Sequence, residues 1–316
     1  MDAILLAIPA FILGILFLYK GSDILVKGTS KTACQLGISA LIVSVIFIGF
    51  GTSAPEFAIS VGAAIQNDPY SADISLGNII GSCVANLLLV LGFSALIRPI
   101  EVKKQVVSRE LIVVLAATLL LLGASYFGIL DKYHVIGGIL FLISFAVCMY
   151  IFFTCAKKER VKGIACEKSD ITKNLLFIVL GIAGVVGGAY LLIESAVIFA
   201  HFFGIDPLVI ALTLVAVGTS LPELVVSIIA SLRKESDIAV GNVLGSNVFN
   251  ILLILGFAAL FLNLNAAASL DLILILLGIT LLMFPILYTR KTIARWEGAL
   301  MLVIYSGFIL YLSPIV

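Results

Sequence analysis

Ten runs of about 20 apolar residues divide the chain, near 3–19, 38–66, 74–97, 110–130, 135–155, 174–194, 205–232, 238–262, 269–288 and 298–314. In hydrocarbon every backbone amide needs an internal partner, so each run is read as a helix. The fold class is therefore an all-α integral membrane protein with ten transmembrane helices. With 62% hydrophobic and only 12% charged residues, no water-facing surface of ordinary character can be built. The net charge of +1 makes no case for a nucleic-acid partner; the partner that composition implies is the lipid bilayer. No short apolar core with a small-residue cleavage site follows Asp2, so the first span is expected to be retained. Cys34, Cys83, Cys148, Cys155 and Cys166 show neither a CxxC pair nor regular spacing and are read as reduced, small apolar residues.

Charge placement orients the spans. Of the 19 Lys and Arg residues, 18 fall in loops on one side of this ten-span scheme and only Lys132 falls opposite. The positive-inside rule makes the basic side cytoplasmic, which places both termini outside a multi-pass cell-membrane protein. His134 and His201 are then expected in solvated outside loops.

Two segments contradict their surroundings. GTSAPEFAIS (Gly51–Ser60) and GTSLPELVVS (Gly218–Ser227) each bury a glutamate, Glu56 or Glu223, in an apolar run. Intramembrane acids are costly and usually functional. At the offset of 167 that aligns the two segments, Gly21 meets Gly188, Gly37 meets Gly204 and Leu41 meets Leu208. Further on, GNIIGSCVAN (Gly77–Asn86) aligns with GNVLGSNVFN (Gly241–Asn250) at an offset of 164. A five-helix unit is thus written twice, over residues 1–160 and 161–316. Because five is odd, the second copy enters the membrane from the opposite face, giving two inverted repeats whose glutamates meet near the midplane.

The local chemistry follows from the spacing. Pro55 and Pro222 lack an amide hydrogen and collide with the carbonyls of Gly51 and Gly218, so the second and seventh runs are expected to be broken helices with freed carbonyls. Thr52, Glu56 and Ser60 share a helix face, as do Thr219, Glu223 and Ser227. Asn78, Ser82 and Asn86 form a third polar stripe, and Asn242, Ser246 and Asn250 a fourth. Four stripes offer two carboxylates, hydroxyls and amides, with no Lys, Arg, His or Cys among them. All-oxygen, net-negative ligation suits a hard cation, and Ca2+ fits best.

These paired GTS-x-PE and GN-x-x-GS-x-x-x-N segments resemble the two alpha repeats of the calcium/cation antiporter superfamily, whose sodium/calcium and proton/calcium exchangers share a ten-helix inverted-repeat fold. The resemblance implies Ca2+ ligation by Glu56 and Glu223, completed by Thr52, Thr219, Ser53, Ser220, Ser82, Ser246, Asn86 and Asn250. It also implies Ca2+ and a monovalent cation as cargo, with no resident cofactor and no enzymatic activity. Some sodium-coupled relatives carry Asp where this chain has Asn250, whereas many proton-coupled relatives carry GN-x-x-E in place of GTS-x-PE. A site with two carboxylates is neutral with one Ca2+ or with two protons, and on that ground H+ is favoured over Na+ as counter-ion. Two other classes fit less well. A channel usually builds its charged ring from several subunits, and an intramembrane hydrolase needs an activated nucleophile or a metal-bound water, for which no HExxH or intramembrane His is present.

Overall fold

The structure is a computed structural model that describes residues 2–66, 70–103, 109–158, 170–202, 218–289 and 291–312. The described chain is almost wholly helical. α1 (Asp2–Leu36) leads into α2 (Ala40–Thr52), which meets α3 (Ala54–Gln66) at a bend of 49°. α4 (Ser71–Ile97), α5 (Leu111–Tyr126) and α6 (His134–Lys158) complete the first half. The second half contains α7 (Ile171–Phe202), α8 (Leu221–Leu232), α9 (Ser236–Phe261), α10 (Leu270–Thr289) and α11 (Arg295–Leu312). Among the described residues seven helices are long and apolar enough to cross a membrane, and the bent α2/α3 pair makes an eighth. That count by length falls short of the ten apolar runs because α5 has 16 residues and α8 has 12. The part of the seventh run from 205 to 217 lies outside the described residues.

Burial sorts the helices into a centre and a rim. α4 and α9 are enclosed over most of their length, whereas α1, α6, α7 and α11 expose apolar side chains such as Leu16, Ile143, Val179 and Leu310, as lipid-facing helices do. α1 and α7 run antiparallel with their backbones almost touching. A Cβ on Gly188 would stand 2.6 Å from the Leu18 amide nitrogen, and one on Gly21 would stand 2.8 Å from that of Val185. Lipid tails are as apolar as the helices, so association within a bilayer relies on close packing of small residues rather than on hydrophobic burial.

α1 and α7 also correct the sequence reading. The first apolar run ends at residue 19 and the sixth at 194, yet the helices continue to Leu36 and Phe202. Their packing outlasts their apolar stretches. Ser22, Thr29 and Thr32 are fully buried in α1, Asp23 pairs with Lys27 and Arg233, and Ser30 donates to Glu235 at 2.7 Å. Lys20, Lys27 and Lys31 therefore ride on a helix rather than a loop, and His201 lies within α7. His134 is not simply solvated: it opens α6 with Nδ1 2.8 Å from the Ala259 carbonyl oxygen. Cys34 is disulfide-bonded, against the reading of five reduced thiols, while Cys83, Cys148 and Cys155 are free and Cys166 lies outside the described residues. Residue spacing alone gives no sign of that bond.

The connecting segments gather at two ends. At one, β1 (Ile100–Glu101) pairs antiparallel with β2 (Thr292–Ile293), and Lys103, Lys234 and Lys291 line a 600 Å³ recess with Glu235 and Asp237. At the other, Asp131 accepts from the amides of Ala266 and Ala267, and the Leu264 amide donates to the Leu130 carbonyl. The basic loops thus meet one another, and the loop carrying Lys132 meets its counterpart at the far end.

Candidate functional site

The break between α2 and α3 falls where the sequence places it. Pro55 cannot donate to the Gly51 carbonyl, Ser53 leaves helical geometry at φ −80° and ψ 11°, and α3 restarts with Glu56 in its first turn. The second half repeats this at Ser220, with φ −87° and ψ 4°, before Pro222 and Glu223 in the first turn of α8. Each glutamate therefore sits at the positive end of a half-helix dipole, which favours negative charge.

Each half holds its glutamate by the same three contacts. Asn78 Nδ2 donates to the Glu56 carbonyl at 3.3 Å and to Ser60 Oγ at 2.9 Å, and Ser82 Oγ donates to Glu56 Oε1 at 3.3 Å. In the other half Asn242 Nδ2 donates to the Glu223 carbonyl at 3.2 Å and to Ser227 Oγ at 3.0 Å, and Ser246 Oγ lies 3.3 Å from Glu223 Oε1. Asparagine amides thus occupy backbone carbonyls near the start of each half-helix. Both carboxylates are fully buried, and Glu56 feels the charge of Glu223.

The halves interlock as well. Ser53 Oγ donates to Glu223 Oε1 at 3.3 Å, and Thr52 Oγ1 lies 3.1 Å from Asn242 Oδ1 and 3.4 Å from Ser246 Oγ. Gly49 permits this approach, because a Cβ there would meet the Ser246 amide nitrogen at 2.9 Å. Asn86 reaches across to Asn247 at 3.1 Å. Beside Ser53 an apolar recess of about 140 Å³ opens between Phe50, Phe57 and Phe249.

Several buried oxygens in this cluster have no protein partner. Glu56 Oε2, Glu223 Oε2, Thr219 Oγ1, Ser220 Oγ, Asn86 Oδ1 and Asn250 Oδ1 are all shielded from solvent and unpaired. Buried polar atoms are nearly always hydrogen-bonded, so a group of open acceptors needs a ligand or water to complete it. Six open oxygens are enough for a Ca2+ shell, which takes six to eight. No group of three or more His, Cys, Asp or Glu that could hold a metal occurs among the described residues.

All ten residues expected from the sequence are thus buried in or beside one cluster, in differing states of engagement. The ten do not include Asn78 and Asn242, which hold the backbone carbonyls of the two glutamates, nor Asn247. The two clamps are visible in the sequence as members of polar stripes. Asn247 departs from the stripe and from the repeat, since its counterpart is Cys83, and that departure is the one signal it offers.

Fold and site together define a helical membrane protein whose matching halves each supply one buried acid to a shared oxygen cluster. The chain belongs to the sodium/calcium exchanger protein family, whose profile matches residues 6–154 and 173–313. It is 32% identical to the sodium/calcium exchanger MaX1 of Methanosarcina acetivorans, over 95% of this chain and 97% of that one. It is 34% identical to an uncharacterised membrane protein of Methanocaldococcus jannaschii, over 96% of each chain. Among solved structures, the sodium-calcium exchanger NCX_Mj soaked with zero Na+ and Ca2+ superposes with a TM-score of 0.83 at 33% identity, covering 98% of this chain and 99% of that one.

Proposed function

We propose that this protein is a secondary active antiporter exchanging Ca2+ for a monovalent cation by alternating access. Its ten spans form two inverted five-helix repeats, residues 1–160 and 161–316, in a cell membrane with the basic loops cytoplasmic and both termini outside. The observation that carries this reading is the matched pair of buried glutamates, one per half, each with one clamped and one open oxygen. Glu56, Glu223, Thr52, Thr219, Ser53, Ser220, Ser82, Ser246, Asn86 and Asn250 form the ion site, and α1 and α7 are the element that slides across it.

Na+ is the counter-ion we favour. The charge balance that points to protons does not discriminate, because two Na+ ions neutralise two carboxylates as well as two protons do. The names of the whole-length relatives support Na+. With Asn250 in place of a third acid, compensation inside the bilayer ends at two positive charges, so exchange is expected to be electroneutral at two Na+ per Ca2+. Proteoliposomes test both points. Ca2+ uptake should follow an outward Na+ gradient at fixed pH and be insensitive to a clamped voltage. Uptake driven by a pH gradient and indifferent to Na+ would instead establish H+ coupling.

A further inference from the structure

We infer that Asn247 is a positioning residue that turns the carbonyl oxygen of Asn86 toward the transported ion, an inference that rests on the exchanger reading above. One atom at this contact has a fixed role. The Cys83 backbone carbonyl can only accept a hydrogen bond, and it accepts one from Asn247 Nδ2 at 3.4 Å. Both ends of the Asn247 amide face α4, and that bond fixes which of them lies against Cys83. Its Oδ1 is thereby presented to Asn86, which must answer with a donor, and Asn86 Nδ2 does so at 3.1 Å. With its nitrogen committed, Asn86 has its oxygen left over, and Oδ1 is the buried atom without a partner. Turning the Asn86 amide around would set two oxygens against each other across 3.1 Å and offer a cation two N–H donors.

The place of Asn86 gives that oxygen a target. It stands four residues after Ser82, which holds Glu56, and eight after Asn78, which clamps the same residue, where α4 passes from α to π pitch over Asn86–Val90. Such π turns recur at functional sites. α9 has its own π turn over Phe249–Ile254, containing Asn250, the repeat counterpart of Asn86. There the second amide is missing. The position equivalent to Asn247 is Cys83, whose thiol is the group that faces Asn250 and is at most a weak hydrogen-bonding partner, so neither Nδ2 nor Oδ1 of Asn250 is fixed by a nitrogen or oxygen atom. Two residues that are identical by sequence thus differ in preparation: Asn86 has its ligand oxygen aimed before the ion arrives, and Asn250 does not.

The alternative is that Asn247 merely ties α4 to α9. A double-mutant cycle separates the two, with Ca2+ binding measured directly on purified full-length protein in nanodiscs using radioactive Ca2+. Asn247→Ala is expected to weaken binding about tenfold in the wild-type background. In the Asn86→Ala background, where no oxygen remains to be aimed, it should add less than about twofold. Asn86→Asp presents an oxygen whichever way it turns and loses the donor that Asn247 Oδ1 requires, so adding Asn247→Ala should cause no further loss of affinity. If Asn247→Ala does not yield folded protein, Asn247→Ser is carried through the same three backgrounds. Equal losses in all three, or undiminished binding in the single variant, would overturn the positioning role. Wild-type protein that binds no Ca2+, with Glu56→Gln changing nothing, would overturn the exchanger reading and this inference with it.

Discussion

The two halves share a skeleton and differ in how tightly it is drawn. Asn78 and Ser82 hold Glu56 as Asn242 and Ser246 hold Glu223, contact for contact. Around this common frame, Thr52 and Ser53 are hydrogen-bonded across the interface, whereas Thr219 faces the Glu56 carboxylate beyond normal hydrogen-bond length and Ser220 Oγ has no partner. Phe50, Phe57 and Phe249 border the recess at Ser53, but the corresponding positions are Val217, Leu224 and Ala85. α1 is fastened to the segment after α8 through Asp23–Arg233 and Ser30–Glu235, while the matching residues of α7, Tyr190 and Val197, carry no charge. The frame is what both halves need for binding an ion at all. On the proposed exchanger reading, the differences leave the halves in unequal conformations, as in a transporter closed on one side.

The equivalence of the halves is tested most severely at the acids. Glu56→Gln and Glu223→Gln should each reduce Ca2+ flux in proteoliposomes to background, a loss of more than about a hundredfold, because each removes half the charge that compensates a divalent ion. Substantial flux through only one of the two would show that the halves do not contribute equally. The clamps come next. Asn78→Ala and Asn242→Ala each remove the donor to a buried glutamate carbonyl and to a serine hydroxyl oxygen, at about 1–3 kcal/mol; the denaturation midpoint should fall further for Asn242→Ala, which also loses its contact with Thr52. Equal falls would mean that the Thr52 contact contributes nothing.

The unequal hydroxyls probe the asymmetry directly. Thr52→Val should lower stability by about 1–2 kcal/mol, since Thr52 Oγ1 lies within hydrogen-bond reach of the Ile48 carbonyl and of Asn242. Thr219→Val removes a hydroxyl that faces the Glu56 carboxylate beyond normal hydrogen-bond length, so stability should change little while Ca2+ binding weakens. Paired melting and binding measurements on both variants check this; identical behaviour would erase the asymmetry. The smallest effect is expected at the fastening of α1. Arg233→Gln breaks an ion pair whose side chains are 35% and 18% exposed, and such pairs contribute less than about 1 kcal/mol. Its signature should be faster modification of a cysteine introduced at Thr29 by a reagent added from the basic side, with little change in melting.

Much of this site is legible in the sequence because its chemistry is local. A carboxylate in an apolar run, a proline four residues after a glycine and polar residues spaced by four are properties of one segment, and hydrocarbon gives each a definite cost. The repeat makes Glu56 and Glu223 counterparts by alignment alone. The membrane setting, the break between α2 and α3, the pairing of acids and the all-oxygen character of the cluster therefore follow from residue order. Whatever depends on two backbones meeting does not. α1 and α7 outrun their apolar stretches because glycines bring them into contact and the segment between α8 and α9 receives Asp23 and Ser30. Thr52 and Ser53 are engaged while Thr219 and Ser220 are open because helices from opposite halves approach unequally. Asn86 is aimed and Asn250 is not because a single amide at Asn247 reaches across an interface, and a hydrogen bond between residues 161 apart leaves no trace in the periodicity of either helix.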